Sequence, residues 1–460
     1  MVSSFFSCDI KCEKITFCVD FKIKTLIIVG DDRNLKGYFM LIDFSVSNYL
    51  SFKDKVTLSM KRTTKRTHVG HLLKHGLLSG AVIYGANASG KTNLLQALAI
   101  LAHNQVNITP ASISFADSVN RNAFMHDAAL SPEFEVNFFV NDVKYNYYCS
   151  FKSGKVEKEK LVYEDKNLIF ERAGTNIEWG AEFQEERLLS KTANEQMLLL
   201  AKLRIDGVFN KDAKIKNREH LDNVVKFFEG IMYFSNKEVV RADKFYTFFN
   251  KDDAFKKYLK TLLNLADVGI TDITWEKVNV LPFQATIPMV HGQITCFNHN
   301  TDLYCCDDKN GTLNFYKLKT KHGSEIFELE TESAGTIKLI HLSLLLFICK
   351  SKEDHLLLID EFDSLLHPVI VRYLLKGLLN SGNGQIITAL HNTGLMDQDI
   401  WRVDEIWFTK KDIDHTSSLY PLTNFNPRFD KCIEKDYING WYGAIPTTDE
   451  SGWEVINAKK

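Results

Sequence analysis

Residues 81–92 read AVIYGANASGKT, an apolar run that breaks into a glycine-flanked loop ending in Lys91 and Thr92. The apolar run predicts a buried strand, and Asn93 to Leu101 continue with apolar residues at helical spacing. Gly85, Gly90, Lys91 and Thr92 satisfy the pattern GxxxxGK followed by Ser or Thr. In that loop, backbone N–H groups and a helix N-terminus surround a β-phosphate. The glycines leave room where a Cβ would collide with phosphate. Lys91 is placed to contact β and γ oxygens and Thr92 to bind Mg²⁺ through its hydroxyl. Asn87, Ser89 and Asn93 belong to the same nucleotide-binding stretch. The expected ligands are ATP and Mg²⁺.

Three further stretches carry chemistry. HLLLIDEF (355–362) delivers Asp360 and Glu361 at the carboxyl end of an apolar strand. Beside a phosphate loop, Asp360 would hold magnesium and Glu361 would orient and deprotonate the attacking water. The competing reading is a plain acidic helix N-terminus. ESAGT (332–336) opens a helix with small residues, so Ser333 and Gly335 form either a second anion cup or an ordinary N-cap. One set of phosphates does not easily fill both cups, which points the second toward a nucleotide held by another subunit. QIITAL (385–390) runs into His391, whose imidazole stands where it could touch a γ-phosphate.

Around these stretches the chain has 460 residues, enough for two packed lobes, and a formal net charge of -2. No global basic field advertises nucleic acid or anionic lipid. The nine cysteines form no CxxC pair, and Cys8 and Cys12 have no matched second pair, so reduced thiols in a cytoplasm are expected. LIHLSLLLFICK (339–350) is too short to span a bilayer and predicts a buried core helix. The N-terminus lacks a leader pattern, so neither secretion nor a membrane partner is expected.

Residues 1–39 form no recognisable pattern and are read as a tail, the alternative being one extra strand from TLIIV (25–29). Turn signals ND, SG and DKN divide residues 134–172 into an antiparallel meander. Helices follow at 194–203, 218–231 and 253–266, none with sustained heptads, which excludes a long coiled-coil arm. After a β-rich segment around 270–330, helix and strand alternate, the signature of parallel sheet. The predicted fold is α/β, a mixed central sheet with an antiparallel β-lobe. Residues 40–190 and 330–460 form the head, and 191–329 a helical and β insertion.

Taken in order, GANASGKT, ESAGT, LLLIDEFDSLLHP and ITALHNT resemble the phosphate loop, signature motif, acidic strand with D-loop, and switch histidine of ABC-type ATPase heads of SMC, Rad50 and RecF proteins. More closely, the chain resembles the compact AAA15-type ATPases, relatives of the overcoming-lysogenization-defect proteins, found in bacterial phage-defence and abortive-infection operons. The start MLIDFSVSNYLSFKD and the ending FDKCIEKDYINGWYGAIP extend the resemblance over residues 40–446.

The resemblance implies a Mg-dependent ATPase with Lys91, Thr92 and Asp360 on nucleotide and metal and Glu361 as general base. Ser333 and Gly335 would cap the γ-phosphate of the opposite protomer, and His391 would sense it. It implies a homodimer or higher oligomer through the ATP sites, with Ser364 to His367 along the seam. ESAGT departs from the commoner LSGGQ form, and no Q-loop glutamine is assigned: Gln105 is early, and Phe124 to Asp127 is the place to look. Larger relatives append an acidic nuclease domain. The residues after His391 hold no comparable carboxylate cluster, so a nuclease or toxin effector is expected as a separate protein. The alternatives are a DNA-maintenance ATPase that clamps duplex, which keeps nucleic acid open as a partner, and a transporter subunit.

Overall fold

The computed structural model describes residues 38–63, 68–106, 115–127, 129–183, 193–209, 217–235, 239–278, 294–309, 312–351, 355–382, 384–428 and 431–446. The expected tail, with Cys8, Cys12 and TLIIV, lies outside the described residues up to position 37.

Strands β1 (Phe39–Ser47) and β2 (Val56–Ser59) pair antiparallel. The chain then enters β3 (Gly80–Tyr84), the glycine loop and helix α1 (Lys91–Val106), followed by a short α2 (Phe115–Arg121). The meander is β4 (Glu133–Val140), β5 (Val143–Lys152), β6 (Lys155–Tyr163), β7 (Asn167–Ala173) and β8 (Asn176–Trp179). With β1 and β2 it makes a seven-stranded sheet in the order β2-β1-β4-β5-β6-β7-β8. Left-handed residues close its hairpins where the sequence carries ND and SG: Asn141 and Asp142, then Ser153 and Gly154. Along β4 every second residue is buried, so Phe134, Val136, Phe138 and Val140 face the core.

Helices α3 (Leu199–Ile205) and α4 (Arg218–Glu229) lead into β9 (Ile231–Phe234). β9 corrects the boundary drawn from sequence. It pairs in parallel with the acidic strand as an edge of the central sheet, and Leu221, Val224, Phe227 and Phe228 of α4 join the head core. The head therefore reaches through Phe234. The IMYF run is four apolar residues behind a helix, too short for periodicity to classify.

The insertion comprises α5 (Ala242–Lys251), α6 (Asp253–Leu265) and a second antiparallel sheet. Its strands are β10 (Asp272–Val278), β11 (Thr295–His299), β12 (Asp302–Lys309), β13 (Thr312–His322) and β14 (Glu325–Glu328). The chain returns through α7 (Ala334–Ser351), β15 (Leu356–Ile359), α8 (Pro368–Leu379), β16 (Gln385–Ala389), β17 (Ile406–Lys411), β18 (Ser417–Pro421) and α9 (Ile433–Ile438). α7 is the longest helix among the described residues and is long and apolar enough to cross a membrane. Most of its length is buried inside the fold, which marks a core helix.

The central sheet runs β18-β17-β3-β16-β15-β9, parallel except for β18. Strands β3, β16, β15 and β9 are buried on both faces. Ala81, Ile83, Leu356, Leu358 and Ile387 point toward α1 and the antiparallel sheet, while Val82, Leu357, Ile359 and Ile386 point toward α7 and α8. Because β16 lies between β3 and β15, the residue following β16 emerges between the glycine loop and the acidic pair. That edge, outside the carboxyl ends of parallel strands, is where open α/β sheets bind ligands.

His341 ties α7 to the insertion. Its Nδ1 accepts from the Val240 N–H at 3.3 Å and its Nε2 faces the Thr301 carbonyl at 2.8 Å, a pattern that needs a neutral ring. Burial pushes it down from its ordinary value to about 4. The unfolded chain takes up this proton below about pH 6.5 and the folded chain only below about 4. The stability it contributes is therefore complete above pH 6.5 and lost as pH falls toward 4, about 2 kcal/mol by pH 5. His341→Gln, which keeps a donor and an acceptor without titrating, is expected to lose less stability than wild type between pH 7 and 5 in urea melts.

Candidate functional site

The loop after β3 is shaped by close approaches. A Cβ on Gly85 would stand 2.3 Å from the Thr409 carbonyl of β17, and one on Gly90 (φ +111°) would stand 2.7 Å from Ser417 Oγ. Ser89 Oγ and Thr409 Oγ1 share a 2.6 Å hydrogen bond, and the Ala86 N–H donates to the Ala444 carbonyl at 2.9 Å. Lys91 curls back so that Nζ donates to the Gly85 and Ala86 carbonyls at 2.7 and 3.0 Å. Burial holds its ammonium below the usual lysine range against the opposing pull of Asp360, Asp363 and Glu361. α1 starts at Lys91, so its first-turn N–H groups have no intrahelical acceptor and face the loop's concavity.

At the end of β15 the Asp360 N–H donates to the Phe234 carbonyl at 2.8 Å, which fixes the acidic pair against β9. Asp360 is buried, and its Oδ1 has no hydrogen-bond partner among the described residues. Burial raises its carboxyl, with a hydrogen bond from Thr92 pulling the other way. An orphaned buried carboxylate oxygen beside a hydroxyl is a hard-oxygen pair suited to Mg²⁺, so Thr92 and Asp360 fit the metal role assigned from sequence. Glu361 follows in a left-handed conformation (φ 51°), its carboxylate half-exposed and 4.0 Å from His391 Nε2.

These groups surround one open cleft of about 930 Å³. Asn87, Ser89, Gly90, Lys91, Thr92 and Asn93 line one wall, and Glu361 and His391 line the other. Gly85 and Asp360 stand immediately behind it, under Lys91 and Thr92. Ser333 and Gly335 do not line it. Within its own chain Ser333 Oγ accepts the Thr336 N–H at 3.1 Å, the N-cap arrangement. A Cβ on Gly335 would meet the Leu365 carbonyl at 2.3 Å. Gln105 lies buried in the last turn of α1, and neither it nor Phe124 to Asp127 lines the cleft.

Several residues of the site escaped the sequence reading. Asp363 accepts the backbone N–H of His391 at 2.8 Å and that of Asn392, and so fixes where the imidazole emerges. Ser51 and Lys411 also line the cleft, and Asn93 donates to Ser51 Oγ at 2.8 Å. Lys338 is buried on α7, and its Nζ donates to the carbonyls of Glu361, Phe362 and Ser364 at 2.7, 3.3 and 3.0 Å. Burial pushes its ammonium down to about 8. A lysine immediately before LIHLSLLLF was the available signal, since a charge on an otherwise apolar helix needs a buried partner.

A phosphate loop on a parallel sheet, with an acidic strand two positions away and a histidine between them, defines a P-loop ATPase fold. Residues 81–397 match the family described as "AAA domain, putative AbiEii toxin, Type IV TA system". The chain belongs to that family and carries an AAA-type ATPase domain. Among solved structures it is similar to the SMC head domain from Thermotoga maritima, with 13% identity, TM-score 0.36, and 83% of this chain and 98% of that chain covered. It is also similar to an SMC head bound to the C-terminal winged-helix domain of ScpA, with 12% identity, TM-score 0.43, and 83% and 97% covered. No curated protein matches the chain.

Proposed function

We propose that the protein is a cytoplasmic Mg-ATP-driven switch in which two heads sandwich ATP, and that it regulates an anti-phage, abortive-infection response through a separate effector. The observation that carries this reading is the division of the site. Lys91, Thr92, Glu361 and His391 meet at one cleft with Asp360 behind Thr92, while the Ser333 turn of the same chain stays outside it.

Lys91 and the N–H groups of α1 would hold the phosphates, and Thr92 with Asp360 would hold magnesium. The metal's contribution is to screen phosphate charge and polarise the γ-phosphoryl group. Glu361 would accept the proton of the attacking water, and His391, set by Asp363, would face the γ-phosphate beside it. Ser333 and Gly335 of a second copy complete the cup.

A site shared between copies makes turnover second order in protein at low concentration. Phosphate release per protomer, measured across a dilution series with saturating Mg-ATP, is expected to fall on dilution. A constant specific rate would contradict the shared site. Duplex DNA added to the same assay tests the clamp alternative, which requires salt-sensitive stimulation of turnover. Co-expression with the neighbouring genes is expected to lower phage plating, and Glu361→Gln to abolish that effect.

A further inference from the structure

The segment from Glu361 to Leu365 is a tight turn with two non-glycine residues in the left-handed region, Glu361 (φ 51°) and Leu365 (φ 64°). Such a backbone persists only where its surroundings hold it. What holds it here comes from α7. The Lys338 ammonium takes three carbonyls of the turn, and Ser364 Oγ besides at 3.1 Å. One turn earlier on the same helix, Gly335 leaves the space into which the Leu365 carbonyl projects, 2.3 Å from where a Cβ would be. Further back, Glu332 is anchored to the insertion sheet, its Oε1 bonded to His322 Nε2 at 2.8 Å and to Thr320. α7 and the 361–365 turn thus form one piece, with Ser333 at one end and the Glu361 carboxylate at the other.

We infer that Lys338 is a positioning residue for Glu361. It locks the turn that carries the general base to the helix that carries the Ser333 cup, so that a copy engaging its partner's nucleotide sets its own base. The inference rests on the shared-site reading above and goes further, because it assigns the link between the two sites to one side chain. Lys338 does not line the cleft and donates to carbonyls and to Ser364 Oγ of the turn, so it orders the base without binding nucleotide.

Lys338→Met removes the ammonium at nearly constant volume, and Lys338→Arg keeps the charge. With Lys338→Met, affinity for a fluorescent ATP analogue is expected to stay within about twofold of wild type, with kcat down roughly tenfold or more and KM little changed. Lys338→Arg is expected to recover part of kcat. Lys338→Gln, which also removes the ammonium, is expected to give the same split and serves if Lys338→Met folds poorly. A Lys338→Met kcat within about twofold of wild type overturns the inference, as does a parallel loss of affinity, melting temperature and kcat in both variants. Wild-type protein without ATP turnover overturns the proposed function and this inference together, whereas wild-type turnover with an unaffected variant overturns this inference alone.

Discussion

Glu361→Gln is expected to lower ATP turnover by roughly 10²–10⁴-fold while leaving ATP affinity close to wild type. The effect follows from where the carboxylate stands. β15 is buried on both faces, and Asp360 is pinned to β9 through its N–H. The next residue therefore leaves the sheet at a fixed point, with the Lys338 clamp on its carbonyl. Its side chain is half-exposed to the cleft and 4.0 Å from His391, placed to take a proton from water. Glutamine keeps the shape and cannot act as a base. Phosphate release under saturating Mg-ATP and equilibrium titration with a fluorescent analogue separate the two quantities. Turnover within a few-fold of wild type would remove Glu361 from the chemistry.

The second large effect is on stability. Glu159 on β6 and Arg172 on β7 are both fully buried, 3.4 Å apart between Oε2 and Nη1. Arg172 also donates to the carbonyls of Met197 (2.8 Å), Asn194 and Gly174, while Glu159 accepts from Tyr147 Oη and the Leu199 N–H at 2.9 Å each. The pair therefore welds the meander to the start of α3. Arg172→Ala leaves a carboxylate in the core, whose burial already raises its pKa, with no cation to oppose that. A loss of about 3–5 kcal/mol is expected. Urea melts check it, and adding Glu159→Gln, which removes the stranded charge, is expected to recover part of the loss. A change under about 1 kcal/mol would show the site relaxing to admit water.

Legibility in the sequence tracked the range of the interactions. The phosphate loop was readable because strand, glycines and helix start are adjacent in the chain, and Gly85 and Gly90 are required by contacts that any Cβ would violate. The acidic pair and His391 were readable because each sits at the end of an apolar run that, in a chain with a phosphate loop, reads as a parallel strand. Lys338, Asp363 and Ser51 were not, because each acts on a backbone or side chain tens to hundreds of positions away or across a turn. Their roles exist only once β15, β16 and α7 are side by side. β9 was misassigned for the same reason: its membership is decided by pairing with Leu356–Ile359. ESAGT stayed ambiguous between N-cap and anion cup, and the structure shows how both readings arise. Ser333 caps its own helix while remaining outside its own cleft.

That position of Ser333 is the point on which the shared site turns. The most direct measurement is the mass of the Glu361→Gln protein by light scattering, with and without Mg-ATP. A doubling that requires both ATP and magnesium, and that disappears when Ser333→Arg is added, is the predicted result. A protein that binds Mg-ATP stoichiometrically yet stays at the mass of a single chain would contradict it.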